Sequence, residues 1–458
     1  MVVDVIVVLI YSLGMLLLGW YGMKRAKCNE DYLVAGRNLG PAFYMGTMAA
    51  TVLGGASTVG TVRLGYVHGI SGFWLCTALG LGIIALNWFM AKPLLKLRIY
   101  TVTQVLERRY NSAARQASAI IMFVYALMIS VVSILAIGTV MQVLFGIPFW
   151  VAVLLGGGVV VIYSTIGGMW SLTLTDIVQF VIKTVGLMFL LLPICLYRVG
   201  GWDELAAKLP ASALSFTAIG YDTIITYFLI YFFGILIGQD IWQRVFTARD
   251  DSVAKYAGSV AGIYCVIYGL VCAVIGMCAK VLLPDLDNVN YAFAAIVKAA
   301  LPDGVRGLVI ASALAAMMST ASAALLAAST TITEDLLPKL RGVESSLNVN
   351  RLFTALTGFL VISIALVVSD VLGALTLAYN LLVGGMLIPL FGAIYWKRAT
   401  TAGAITSMSL GCITALIFMF KDGFDANTPI YYSLAIGMVS FVLVSLLSRR
   451  PESVAQPA

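Results

Sequence analysis

Thirteen apolar runs, each long enough to cross a bilayer as a helix, follow one another along this chain with little between them. They fall at roughly 2–23, 41–68, 72–95, 117–145, 149–166, 171–197, 222–243, 256–281, 305–332, 350–368, 371–395, 401–420 and 430–448. The runs are continuously apolar rather than alternating, which excludes barrel strands. Apolar residues make up 61% of the 458 and charged residues 11%. A soluble chain carries about 45–50% and about 25%. Most of this surface cannot face water, so the chain reads as an all-α polytopic membrane protein whose main partner is the lipid bilayer. Soluble enzymes, disordered scaffolds and nucleic-acid binders are set aside. The first run has no basic stretch before it and no small-residue cleavage site after it, so it reads as a retained helix. The longest connections, 198–221 and 282–304, have room only for short amphipathic helices.

Orientation follows from lysine and arginine. With the N-terminus outside and the C-terminus in the cytoplasm, twenty basic residues fall on the cytoplasmic side and six outside. The net charge of +7 then marks cytoplasmic loops rather than an anionic partner. The seven cysteines are scattered and form no CxxC pair, so neither a disulfide framework nor a zinc site is indicated. The single histidine, His68, removes multi-histidine metal sites.

A break in a membrane helix exposes backbone groups and is tolerable only beside a cavity or a bound solute. In the second span Gly54-Gly55 is followed by Ser57, Thr58 and Thr61, a composition that favours an unwound segment. In the seventh, Gly234 and Gly238 precede a polar stretch. Five helices separate corresponding positions in these two spans, and an odd offset inverts the second unit relative to the first. That is the arithmetic of a five-plus-five inverted repeat, helices 2–6 and 7–11. Close helix packing is the other use of such glycines. In the ninth span Ala316, Ser319 and Thr320 share one helical face, with Ser322 three residues on from Ser319. Hydroxyls there, with carbonyls freed by a broken helix, would suit a hard cation such as sodium. Ordinary small-residue packing is again the alternative.

Charges inside spans are expensive, so each is a candidate. Asp176 in the sixth span can tune cation affinity or mark an inner exit, or it can pair with Lys183 two turns on. Arg63 lies past the break in the second span and can face an anionic solute, or it can be structurally paired. Asp240 and Arg244 read as an i, i+4 pair at a cytoplasmic helix end.

The segments DYLVAGRNLG (31–40), YTVTQVLERRY (100–110), YSTIGGMWSLTLTDIVQF (163–180), GQDIWQR (238–244) and the stretch 312–337, in this order and spacing, resemble the sodium/solute symporter family, over nearly the whole chain. The resemblance implies a LeuT-type core in a bacterial inner (plasma) membrane. The whole of 1–458 would be one transport domain: leading helix and loop 1–40, first repeat unit 41–197, second unit 222–420, last helix 430–448. It implies a sodium site with carbonyl ligands Ala50, Leu53 and Ala316 and hydroxyl ligands Ser319 and Thr320. Ala323 stands where members with a second sodium carry a serine beside Ser322, which points to one sodium per cycle. Carried-over solute positions are Gly55, Ala56, Ser57, Thr58, Tyr231, Gly234 and Gln239, with Arg63 available to a carboxylate.

The expected function is therefore sodium-coupled uptake of a small organic solute, an amino acid or short organic anion, by alternating access, with sodium as a transported ion. A sugar or vitamin symporter is an alternative, and so is a transporter-like sensor with a separate signalling partner. Enzyme chemistry is not expected, given one histidine and few intramembrane carboxylates.

Overall fold

The computed structural model describes residues 2–338, 345–368, 370–424 and 426–448. Lys339, Arg341, Arg449 and Arg450, four of the basic residues that set the expected orientation, lie outside the described residues. Each expected span is helical, and the described residues contain no strand. Ten helices are long and apolar enough to cross a membrane, and the bent pair Tyr221–Ile237 and Gln239–Val245 makes an eleventh span. Two of the ten are double. The helix over 149–199 turns at Gly168 (φ 53°, ψ −138°), and the one over 56–97 turns at Gly69 (φ 66°). Divided there, the described helices account for all thirteen runs.

Gly168 shows why the turn sits where it does. A positive φ is strained for any residue with a Cβ, and a Cβ here would lie 2.4 Å from the carbonyl oxygen of Tyr32. The backbone of the 31–40 segment therefore packs directly against the corner between spans five and six. Helix starts outside the apolar runs are closed by side-chain caps: Asn111, Asp250 and Thr400 each accept a backbone N–H from the first turn of spans four, eight and twelve.

Burial orders the bundle. In span nine (Val305–Leu336) 94% of the most apolar window is buried, against 28% in spans one (Val2–Met23), ten (Leu347–Ala365) and thirteen (Thr428–Leu447). Span nine is the axis, with spans one, four, five and six packed against it. Span eight (Asp251–Leu282) flanks span two on both sides of its break and span three. Spans twelve (Thr401–Asp422) and thirteen pair with each other beside span eleven (Val371–Tyr395). The connections 198–221 and 282–304 carry the short helices Trp202–Lys208 and Ala292–Ala300.

Candidate functional site

Span two is interrupted at its middle. The helix Pro41–Val52 stops, Leu53 leaves helical geometry (φ −92°, ψ 73°), and a wide π-turn over Ala56–Gly60 leads into Thr61–His68. The last carbonyls of a helix lack intrahelical partners, and in hydrocarbon each needs one. Side chains supply them here. Ser57 donates to Val52 O at 2.8 Å. Thr320 of span nine donates to Thr51 O at 2.6 Å. The Ser319 hydroxyl lies 2.8 Å from Ala50 O and 2.9 Å from Ala316 O, within donating distance of both. The two rods touch here because position 54 has no side chain: a Cβ on Gly54 would lie 2.4 Å from Thr320 Oγ1.

The remaining carbonyls are taken by a residue read from the sequence only as a possible partner of Asp176. Lys183 of span six, fully buried, donates to Ala49 O at 3.2 Å, Ala50 O at 3.4 Å and Leu53 O at 3.4 Å. An ammonium has three N–H donors and no acceptor, so three carbonyls satisfy it. The ring of Tyr268 adds a face 5.9 Å from Nζ. The five positions expected to hold a cation, Ala50, Leu53, Ala316, Ser319 and Thr320, are thus brought to one junction. Two of their carbonyls, Ala50 O and Leu53 O, bind a positive charge that belongs to the chain itself.

Asp176 makes a different pair from the one offered by sequence spacing. Its carboxylate accepts from Thr47 Oγ1 and lies 3.4 Å from Arg244 Nη2, with both charged side chains fully buried. Arg244 also donates to Thr51 Oγ1 at 3.0 Å, and Thr51 Oγ1 to Thr47 O at 2.8 Å. The expected i, i+4 pairing of Arg244 with Asp240 therefore gives way to one across three spans, while Asp240 accepts from Tyr125 at 3.1 Å. The reason is geometric: span seven bends by 48° at Gly238, which delivers its polar end to the bundle centre.

Beside the break, Gly55, Ala56 and Ser57 line a cavity with Ile129, Val132 and Ser133 of span four, Asp240 of span seven, Thr320, and Leu375 and Tyr379 of span eleven. It is small, about 20 Å³, room for about one water. Other expected solute positions lie elsewhere. Thr58 turns away and shares a 2.7 Å hydrogen bond with Tyr268. Tyr231 and Gly234 lie against Tyr379, with the Tyr231 ring edge-on at 5.2 Å. Gln239 holds the 100–102 loop, donating to Tyr100 O and accepting from Val102 N–H, both at 2.9 Å. Ser322 donates to Ser319 O at 3.1 Å within its own helix. Arg63 lies 3.9 Å from Asp370 and lines a separate cavity of about 280 Å³ with Gln142, Asn288 and Tyr291. Among the residues the sequence did not assign to the site are Lys183, Tyr268, Ser133 and Tyr379. A lysine deep in an apolar run was the available signal for the first.

Comparison with known proteins agrees with this architecture. The family model for the sodium:solute symporter family matches residues 32–411. The chain is 25% identical to the osmoregulated proline transporter OpuE of Bacillus subtilis (strain 168), over 98% of this chain and 96% of that protein. It is 26% identical to the sodium/proline symporter of Staphylococcus aureus (strain JH9), over 90% of this chain and 85% of that one. A solved structure of a Na+-coupled sialic acid symporter, substrate-bound and outward-open, superposes with a TM-score of 0.85 at 20% identity, covering 99% of both chains. The fold is LeuT-type, the chain is a transporter rather than an enzyme, and by the family model's reach over most of its length it belongs to the sodium:solute symporter family.

Proposed function

We propose that this chain carries a small organic solute across a bacterial plasma membrane by cation-coupled symport and alternating access, with the junction of spans two and nine as the cation site. One observation carries the reading. Ala50 O and Leu53 O of the span-two break converge on a single buried positive charge, and Ser319 and Thr320 of span nine donate to the adjoining Ala50 O and Thr51 O, next to a small cavity lined by the same break. A cation there ties the broken rod to the bundle axis. A ligand shifts a conformational equilibrium only by its differential affinity for the two states, so cation and solute must both favour the joined form. Family membership makes sodium the transported cation, and a junction holding one charge supports one sodium per cycle.

For the solute we favour an amino acid or short organic anion. The curated relatives are proline transporters, and the cavity beside the break combines small and apolar residues with the hydroxyls of Ser57, Ser133 and Thr320 and the carboxylate of Asp240, groups that suit a small solute carrying both polar and apolar parts. The repeat units of helices 2–6 and 7–11 are supported by breaks at Leu53–Gly55 and at Gly238. The N-out orientation is supported by the loop charges. Arg63 serves as an outer contact for an anionic group, and Asp176 with Arg244 as the inner lock. The test is uptake into proteoliposomes of labelled proline, other amino acids and short carboxylates, with and without a sodium gradient. Sodium-stimulated uptake of at least one is the expected result. No uptake or exchange of any, by folded protein, would overturn the reading.

A further inference from the structure

The junction holds a charge before any ion arrives, and that has a consequence for coupling. Four charged side chains meet within the bundle centre: Asp176 and Asp240 are negative, Lys183 and Arg244 positive. They balance. A sodium added beside Lys183 would leave one uncompensated positive charge in a low-dielectric interior, which is strongly unfavourable. It would also need Ala50 O and Leu53 O, which the ammonium already holds. We propose that the Lys183 ammonium is a tethered competitor of the transported cation: the junction holds either Lys183 or sodium, never both.

The structure shows where Lys183 can go when displaced. Asp176 lies seven residues earlier on the same helix, hence on the same face. Its Oδ1 is buried and accepts no hydrogen bond among the described residues. Seven residues rise about 10.5 Å along the helix, and the long Lys183 side chain leans toward the helix N-terminus, the side on which Asp176 lies. In the sodium-free carrier Lys183 fills the carbonyls and ties span two to span six. In the sodium-bound carrier it would turn to the free oxygen of Asp176. Sodium would thus be bound against a built-in rival, and its release would be assisted by the rival's return. A lysine with a purely packing role predicts no such competition.

This rests on the reading of the junction as the cation site, and the experiment separates the two by measuring sodium binding without solute. Purified full-length protein is titrated with radioactive sodium, for the unmutated chain, Lys183→Met, Lys183→Gln and Lys183→Arg. Competition predicts that Met or Gln lowers the dissociation constant for sodium at least tenfold, that Arg, which keeps the charge, does not, and that adding Ser319→Ala to Lys183→Met abolishes the gain. Unchanged or weaker sodium binding in both neutral variants would overturn the competition while leaving symport standing. A gain that survives Ser319→Ala would overturn the placement of sodium at this junction.

Discussion

Asp176 and Arg244 form an ion pair with no exposed atom in either side chain, 3.4 Å apart and anchored through Thr47 and Thr51. Removing one partner of such a pair leaves a buried charge uncompensated, at a cost of about 3–5 kcal/mol. Asp176→Asn should therefore lower stability by about 3 kcal/mol, read as a fall in the melting temperature of the purified protein. An unchanged melting temperature would mean that Arg244 finds another acceptor, with Asp240 the nearest in sequence. Sequence reading recognised Asp176 as too costly to be idle but could not choose its partner. Spacing along one helix offers Lys183 and Asp240 as neighbours, whereas the actual pairing joins spans six and seven, 68 residues apart. Lys183 was legible in the same limited way. Of 28 basic residues, loop counting leaves only Arg63 and Lys183 inside spans. What lies opposite each depends on packing that a single sequence does not display.

Elements were easier to read than pairings, because length and continuous apolarity are local properties. All thirteen runs are helical among the described residues, and the break in span two falls at the glycine pair that signalled it. Gln239 was misplaced for the opposite reason. It follows the bend of span seven as expected, yet its amide is spent on a loop more than 130 residues away in sequence. The corner at Gly168 gives a direct test of element geometry. Gly168→Ala combines a left-handed φ of 53° with a Cβ 2.4 Å from Tyr32 O. Backbone strain of this kind costs about 1–3 kcal/mol, and the clash adds to it. The variant should melt lower and show faster proteolysis in the 31–40 segment. Wild-type behaviour in both would mean that the corner can be rebuilt without glycine. Gly54→Ala should act differently. Its Cβ would meet Thr320, so it should block transport while the fold survives, as circular dichroism would show.

At the scale of the whole molecule, the solute's charge decides how the membrane potential acts. One charge crossing 100 mV is worth about 2.3 kcal/mol. At about 1.4 kcal/mol per tenfold, that supports about fifty-fold accumulation of a neutral solute moved with one sodium. A monoanion moved with one sodium is electroneutral and feels only the chemical gradients. Imposing a potential on proteoliposomes should thus stimulate uptake of a neutral amino acid and leave a monoanion unaffected. The reverse pattern would exclude one sodium per cycle. If the solute is acidic, Arg63→Gln should raise its KM several-fold without changing the melting temperature, because Arg63 lines the cavity of about 280 Å³ and lies 3.9 Å from Asp370 rather than in a close ion pair. Normal KM would remove Arg63 from the solute path.

All of this depends on the junction of spans two and nine being where the cation binds. The most direct measurement is the sodium dependence of uptake in the unmutated chain, Ser319→Ala and Thr320→Ala. Each loses a hydroxyl that reaches the span-two carbonyls at 2.8 Å or 2.6 Å. The account predicts that half-maximal uptake shifts to at least tenfold higher sodium in both variants, with maximal uptake approached when sodium is raised. Half-maximal sodium concentrations matching the unmutated chain in both would contradict it.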